Sequence, residues 1–534
     1  MSHHPEDGTA RRAPVRAPHP AAPASRPDAA IVGSGPNGLA AAVTLARAGL
    51  RVVVHEAADT LGGGLRGAAL FDSDISHDVC AAVHPMAAAS RFFREFDPAA
   101  RGVVMETPDI SYAHPLADGR AALAFRDLEA TCEALGPVDG RRWRRLMEPL
   151  LRHSDAVVEL LLSGPRRPPD PRAVALLASR VPAHGAPAPL RRLLGGGFRG
   201  EEAPALLAGV AAHAVGPLPS LPSAAVAMLL GHLAHGAGWP LPRGGSRVLA
   251  EAMIADIRAH GGEFRTGRRI TDLDELDGAR VVLLDLAPAG LLEVAGDRLP
   301  ARYARALRRY RHGPAAGKAD FLVSEPIPWA HPEVGRAGTV HLGGTMERIH
   351  RQETANARGV AGEEPFVLVV DPAVADPGRA RPGRRPVWAY AHLPAGDRRD
   401  PVRLIRERIE EYAPGFRDTI LAERGVSGAQ YEAYNPNYVG GDIGTGAMTL
   451  RQSLLRPVAR LDPYRTPLPG VYLCSAATPP GPSVHGMCGY LAARSALRRE
   501  FGLAVPHLGP TGRGAAGGSS EPAPPAGADI AGPP

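Results

Sequence analysis

At 534 residues the chain is long enough to bury a large core and to hold two or three domains. Its net charge is +6, yet Lys318 is its single lysine, and the arginines are spread among acids rather than clustered with aromatics, which speaks against a nucleic-acid partner. The four cysteines, at 80, 132, 474 and 488, form no C-x-x-C pair and no zinc spacing, which favours free thiols in a reducing compartment over a disulfide framework and argues against a metal site and disulfide-reductase chemistry.

Residues 1–27 are rich in Pro, Ala and Arg and are expected to be a disordered tail. Arg11-Arg12 is followed by no apolar run, so a twin-arginine signal is not expected there. The first ordered elements are the most informative. Ala29–Val32 reads as a strand and Gly33-Ser-Gly-Pro-Asn-Gly38 as a glycine turn. An Ala-rich helix follows, then a second strand at Val52–His55 that ends on Glu56. In this G-x-G-x-x-G pattern Gly33 permits the turn, Gly35 lets backbone approach a pyrophosphate, and Gly38 lets helix and strand pack closely. The helix start, with Ser34, Pro36 and Asn37, offers N–H groups and a positive dipole end to phosphates, and Glu56 is placed to bind ribose hydroxyls. Ala57 then leads into a second glycine loop, Gly62-Gly-Gly-Leu-Arg66, for which a nicotinamide site has no need.

From 111 to about 238 the chain reads as helices rich in Leu and Arg, interrupted by Pro-rich joints such as Gly164-Pro-Arg-Arg-Pro-Pro-Asp-Pro171. The Leu runs at 160–162, 190–194 and 229–233 are read as helix core, with a lipid-facing patch as the alternative. Residues 246–260 form an amphipathic helix with Val248, Leu249, Ala252, Met253 and Ile257 on its apolar face. Strands are expected at Glu263–Thr266, Arg280–Leu286, Ala319–Val323, Thr339–Leu342, Phe366–Val370 and Val387–His392, and the last ordered block, from Gly470 to Leu497, is strand, loop, helix. From about 507 the chain is Gly, Pro, Ala and Ser and cannot offset its chain entropy. No stretch of 18 uncharged apolar residues occurs, so no transmembrane helix is expected and the cytoplasm is the default location, with peripheral membrane contact left open. No second strand-linked G-x-G-x-x-G accompanies Gly195-Gly-Gly197, so a separate NAD(P)H site is not expected.

The acid followed by a glycine pair, together with His77-Asp-Val-Cys-Ala-Ala-Val-His-Pro85, Pro436-Asn-Tyr-Val-Gly-Gly-Asp-Ile-Gly-Thr-Gly446, Cys474-Ser-Ala-Ala-Thr-Pro-Pro-Gly481 and His485-Gly-Met-Cys-Gly-Tyr490, resembles the flavin monoamine oxidase and phytoene desaturase superfamily, and within it the phytoene-dehydrogenase-like oxidoreductases. The resemblance covers both ends of the ordered chain and not the middle regions. It implies an α/β fold in which a discontinuous Rossmann-type FAD-binding domain (28–110, 236–295 and 436–506) is interrupted by an α+β substrate domain of mixed sheet and helices (111–235 and 296–435). It further implies FAD held by residues 33–38, Glu56, Ala57, Gly62, Gly63, Gly64 and Arg66. Ile270 would lie at the adenine, and Gly486 and Met487 would face the flavin pyrimidine. Relatives carry an acid in a Gly-Asp pair where this chain has Ser475-Ala476, so Ser475 or backbone is left to meet the phosphate or ribityl group. His485 and His84 are the candidate catalytic residues, set against structural roles in which each bonds a loop carbonyl. Tyr438 and Tyr490 are read as packing residues, with lining of the pocket as the alternative, and Asp442 between glycines as capping or shaping a loop, with a general-base role as the alternative. The expected activity is hydride removal from an apolar, polyene, isoprenoid or lipid-like substrate, with oxygen, a quinone or another organic acceptor taking the electrons. Amine-oxidase-type C–N oxidation and non-catalytic binding of a prenyl group or lipid are the alternatives. Fold alone does not decide among them.

Overall fold

The computed structural model describes residues 26–164, 168–187, 189–190, 197–276 and 278–510. Most of both expected tails, the middle of the Pro-rich joint at 165–167, and residues 191–196, which hold most of the expected Leu run at 190–194 and the first two glycines of 195–197, lie outside these. The C-terminal boundary needs correction. Residues 507–510 pack onto the fold: the Arg47 guanidinium donates to the carbonyls of His507 and Gly509, that of Arg101 to Leu508, and the Leu508 side chain is buried.

Two sheets organise the chain. The first has five parallel strands in the order Val471–Leu473, Val281–Leu284, Ala29–Val32, Val52–His55, Glu263–Arg265. Its inner strands are runs of Ala, Val, Ile and Leu buried on both faces, as a parallel sheet covered by helices requires. Helix Pro36–Arg47 starts with Pro at its first turn, where a missing N–H costs nothing. It is buried along most of its length because helices Arg247–Ala259 and Met487–Ala496 pack against it. The contact with the second is so close that a Cβ at Gly489 would lie 1.8 Å from the Asn37 carbonyl oxygen, so only glycine fits there.

The second sheet has seven strands, in the order Ile420–Val426, Ala315–Val323, Arg385–Leu393, Val367–Val370, Val340–Leu342, Ile110–Pro115, Ala121–Phe125. All neighbours are antiparallel except Val340–Leu342 with Ile110–Pro115. Three of these strands were not expected. Ile110–Pro115 and Ala121–Phe125 fall where helices were anticipated, and Ile420–Val426 where no element was. The reason is tertiary: each pairs with a distant or neighbouring strand, and hydrogen-bond completion outweighs weak local periodicity. The sheet's two faces divide by strict alternation. Val367, Val369, Val387, Ala389 and Ala391 face helix Pro401–Tyr412 in one core, whereas Leu368, Val370, Trp388 and Tyr390 face the other way.

The expected boundary at 295 is also early. Helices Pro288–Ala295 and Ala301–Arg308 share one cluster with Ala30, Val32, Val282 and Leu284, so the dinucleotide-side layer runs on to about residue 308.

Candidate functional site

A continuous cavity of about 1030 Å³ runs between the two sheets, from the glycine loop to the Trp388 face. Pockets for one small ligand span roughly 300–1,000 Å³, so this space is at the upper limit and suits a large ligand or two adjoining ones.

At one end lie Gly33, Ser34, Gly35, Pro36 and Asn37, at the carboxyl ends of parallel strands, where open α/β sheets bind ligands. Gly38 is behind the wall, and a Cβ on it would lie 2.1 Å from the Gly33 carbonyl oxygen. The Glu56 carboxylate reaches this end from the next strand. It accepts from the Ser34 N–H (3.0 Å), the Ser34 hydroxyl (2.6 Å) and the Ala58 N–H (2.9 Å). Gly62 is likewise off the wall, and its N–H donates to the Ser34 oxygen at 3.1 Å, tying the second glycine loop to the first. Ala57, Gly63, Gly64 and Arg66 continue the wall. The Arg66 guanidinium stands 4.7 Å over the Tyr434 ring, and its Nε donates to the Gly63 carbonyl. Ile270 is buried and on the wall. Ser475 is there too, but its hydroxyl donates to the Leu286 carbonyl at 2.7 Å, so its proton is already engaged.

Two groups of residues depart from expectation. His84 and His485 do not reach the cavity. His84 Nε2 bonds the Ser246 hydroxyl at 2.8 Å; His485 Nε2 donates to the Gly481 carbonyl at 3.1 Å, and its Nδ1 accepts the Met487 N–H at 3.0 Å. Burial holds both imidazoles down at about 4, which keeps them neutral where they bond these loops. Gly486 and Met487 are also off the wall. The Met487 N–H is spent on His485, its Sδ accepts from the Phe92 N–H, and Gly486 packs against Phe92 and Ala40. Ser483 and Val484 take their place at the cavity. Tyr490 points away, toward Glu95, whereas Tyr438 lines the cavity with its hydroxyl 3.8 Å from Cys80 Sγ. Asp442, read from the sequence as capping or shaping a loop, accepts the N–H groups of Gly313, Gly444 and Gly446 with its oxygens.

The far end is apolar. Leu368, Val370, Trp388 and Tyr390 form its sheet wall, and helix Leu221–His235 supplies Val226, Leu229 and Leu230. Leu160 and Leu161 join them, so two of the Leu runs face the cavity or the core. His213 is a polar group on this wall. It bonds His341 through their Nε2 atoms (2.9 Å), and burial with the nearby His392 holds it at about 3. The mouth has an apolar rim in which Leu221, Leu450 and Leu454 are exposed.

Sequence reasoning missed several residues. Lys318 and Asp320 form a buried ion pair on the cavity-ward face of the second sheet, opposite Tyr390 and Trp388, with His77 Nδ1 3.6 Å from Asp320. The lone lysine among so many arginines was the signal for it. Asp285 is buried at the glycine loop, and its signal was an acid directly after the apolar strand Val281–Leu284. Among the described residues no group of three or more His, Cys, Asp or Glu is placed to hold a metal ion.

Known proteins agree with this geometry at the level of fold and nucleotide motif. The NAD(P)-binding Rossmann-like domain family matches residues 31–96, which span the glycine turn, its helix and the second glycine loop. The chain is 28% identical over 246 residues to pyridine nucleotide-disulfide oxidoreductase domain-containing protein 2 of Mus musculus, a match spanning 43% of this chain and 39% of the mouse protein. The rat counterpart is matched over 61% of its length. A phytoene dehydrogenase of Streptomyces griseus is 28% identical over 433 residues, 74% of this chain and 77% of that protein. Among solved structures, an oxidoreductase from Methanosarcina mazei superposes with a TM-score of 0.56 at 16% identity, covering 88% of this chain and all of that one. A putrescine oxidase variant superposes with a TM-score of 0.54 at 17% identity, over 88% and 98% of the two chains. At such identities the structural likenesses establish fold.

Proposed function

We propose that the protein is an FAD-dependent oxidoreductase, a dehydrogenase or desaturase that takes hydride from an apolar, polyene, isoprenoid or lipid-like substrate. The observation that carries this reading is the continuity of the cavity, whose glycine loop and Glu56 adjoin an apolar chamber lined by Trp388, Tyr390, Leu368 and Leu229. The residues present fit a dinucleotide. At the start of helix Pro36–Arg47 Pro36 has no N–H and the Gly38 N–H is taken by Asp285, so the helix end is offered to a phosphate chiefly at Asn37, whose Oδ1 is buried without a partner, and Glu56 stands where a ribose would meet it. When bound, the flavin would supply the hydride acceptor.

The chain's own groups hold and orient the substrate. The apolar walls exclude water from the reacting carbon, while Ser163, His213 and Thr339 are polar points on which a substrate can register. Asp442, whose oxygens are held by three N–H groups, is poorly suited to bind an ammonium, which favours the apolar class over C–N oxidation. The relative named phytoene dehydrogenase supports the same class. Leu221, Leu450 and Leu454 around the mouth suit passage of an apolar molecule from a lipid surface, so peripheral membrane contact and an oxygen, quinone or other organic electron acceptor belong to the proposal. Among the described residues no helix is long and apolar enough to cross a membrane.

The test begins with purified protein. It is expected to be yellow, with an oxidised-flavin spectrum, and to release FAD on denaturation. A folded, colourless preparation that does not take up added FAD would refute the reading.

A further inference from the structure

Asp285 stands at an unusual place for an acid. It follows directly on strand Val281–Leu284, whose neighbour Ala29–Val32 runs parallel and opens into the glycine loop. Its Oδ2 accepts the Gly38 N–H at 2.9 Å and would lie 2.8 Å from a Cβ on Gly35. The carboxyl thus rests against the backbone of the loop's second glycine, the point at which a dinucleotide's pyrophosphate makes its close approach. The position is rigid. The Asp285 N–H donates to the Val32 carbonyl (2.8 Å), the Asn437 amide donates to the Asp285 carbonyl (3.0 Å), and the Asn437 Oδ1 accepts the Ala287 N–H (2.7 Å).

The side chain is buried and on the cavity wall, and among the described residues no cation pairs with it. Glu56 lies on the same side of the cavity. A pyrophosphate arriving there would meet an ionised Asp285 as a third like charge in a desolvated space, whereas a neutral carboxyl would meet it as a hydrogen-bond donor.

We infer that Asp285 is a cofactor-binding residue that works as the neutral acid, donating a hydrogen bond to a phosphate oxygen of the dinucleotide, so that cofactor binding takes up one proton. The inference rests on the FAD reading given above. The surroundings support the neutral form. Burial raises the carboxyl to about 7 with Glu56 adding to the rise, against the lowering by the Gly38 N–H. The phosphates hold the proton further as they bind.

The other titratable groups facing this carboxyl are Glu56 and the thiols of Cys474 and Cys488, with the His55 and His485 imidazoles on the elements around it. Burial raises Cys474 well above the ordinary thiol range and Cys488 to about 12, and holds His55 and His485 at about 4. These thiols stay protonated and these imidazoles neutral between about pH 6 and 8.5, so a proton linked to binding in that window is assigned to Asp285.

The experiment is titration of the flavin-stripped protein with FAD at several pH values, with calorimetry in two buffers of different ionisation enthalpy. Wild type is expected to bind with a dissociation constant that is level below about pH 7 and rises about tenfold per pH unit above it, with uptake of about one proton at pH 8. The Asp285→Asn variant, which keeps a donor and cannot ionise, is expected to bind with a flat profile and no proton uptake. A flat wild-type profile without proton uptake, or an unchanged slope in Asp285→Asn, overturns the assignment while leaving FAD binding intact. A wild type that binds no FAD at any pH overturns the cofactor reading itself, and this assignment with it.

Discussion

His485 is held at both ring nitrogens, by the Gly481 carbonyl and the Met487 N–H, inside a buried turn. Removing it leaves both groups unpaired, so His485→Ala is expected to lose about 1–3 kcal/mol of stability. Its rate of flavin reduction, measured anaerobically by stopped flow at full flavin occupancy, should be close to wild type; a large fall in that rate would return the residue to catalysis. Lys318 is a second residue whose role is set by burial. Lys318→Met strands the Asp320 carboxylate in the core and is expected to cost about 3–5 kcal/mol, whereas Lys318→Met with Asp320→Leu should recover much of the loss. Denaturant unfolding of wild type and both variants checks this, and equal losses in the single and double variants would contradict it.

The contact between helices Pro36–Arg47 and Met487–Ala496 joins the two ends of the ordered chain at the glycine loop. Gly489→Ala drives a methyl into the Asn37 carbonyl, so the second helix must shift and take the loop's first turn with it. A lower melting temperature and reduced FAD occupancy are expected together; wild-type values for both would show the helices to be less closely packed. The strand, glycine turn, helix and second strand at 29–55 were legible in the sequence because local pattern and tertiary role coincide there: apolar runs in a buried parallel sheet, glycines where backbone meets backbone. Strands Ile110–Pro115 and Ala121–Phe125 were not, because neither alternates cleanly and both owe their state to the sheet that they join. The site divides in the same way. The loop residues from Gly33 to Arg66 carry their spacing with them, while Trp388, Tyr390 and Leu368 reach the cavity through strand register and sheet order, which no local pattern states. For His84 and His485 the sequence left a catalytic and a loop-bonding role both open, because a histidine in a glycine-rich motif looks the same whether it faces a cavity or props a loop.

Over the whole molecule, buried titratable groups set the pH response. His55, His84, His114, His232, His235 and His485 are held by burial at about 4, His213 at about 3, and His341 well below its ordinary value. Between about pH 4 and 6.5 the unfolded chain therefore binds protons at these positions that the folded chain does not, and stability rises with pH. Asp285 and Asp371 act in the opposite sense, because burial raises both carboxyls and lets the native state hold protons that the unfolded chain releases, for Asp285 between pH 3.8 and about 7. Eight imidazoles outweigh these two carboxyls, so the melting temperature of the flavin-free protein should climb from about pH 4.5 to 6.5; a flat profile would mean that the histidines are open to solvent. The central claim is that one cavity joins a flavin site to an apolar substrate chamber, and anaerobic bleaching of the bound flavin tests it most directly. A panel of polyenes, isoprenoids and lipid alcohols set beside primary and secondary amines is expected to give bleaching by one or more of the apolar compounds and none by the amines. Bleaching by amines alone would contradict the account.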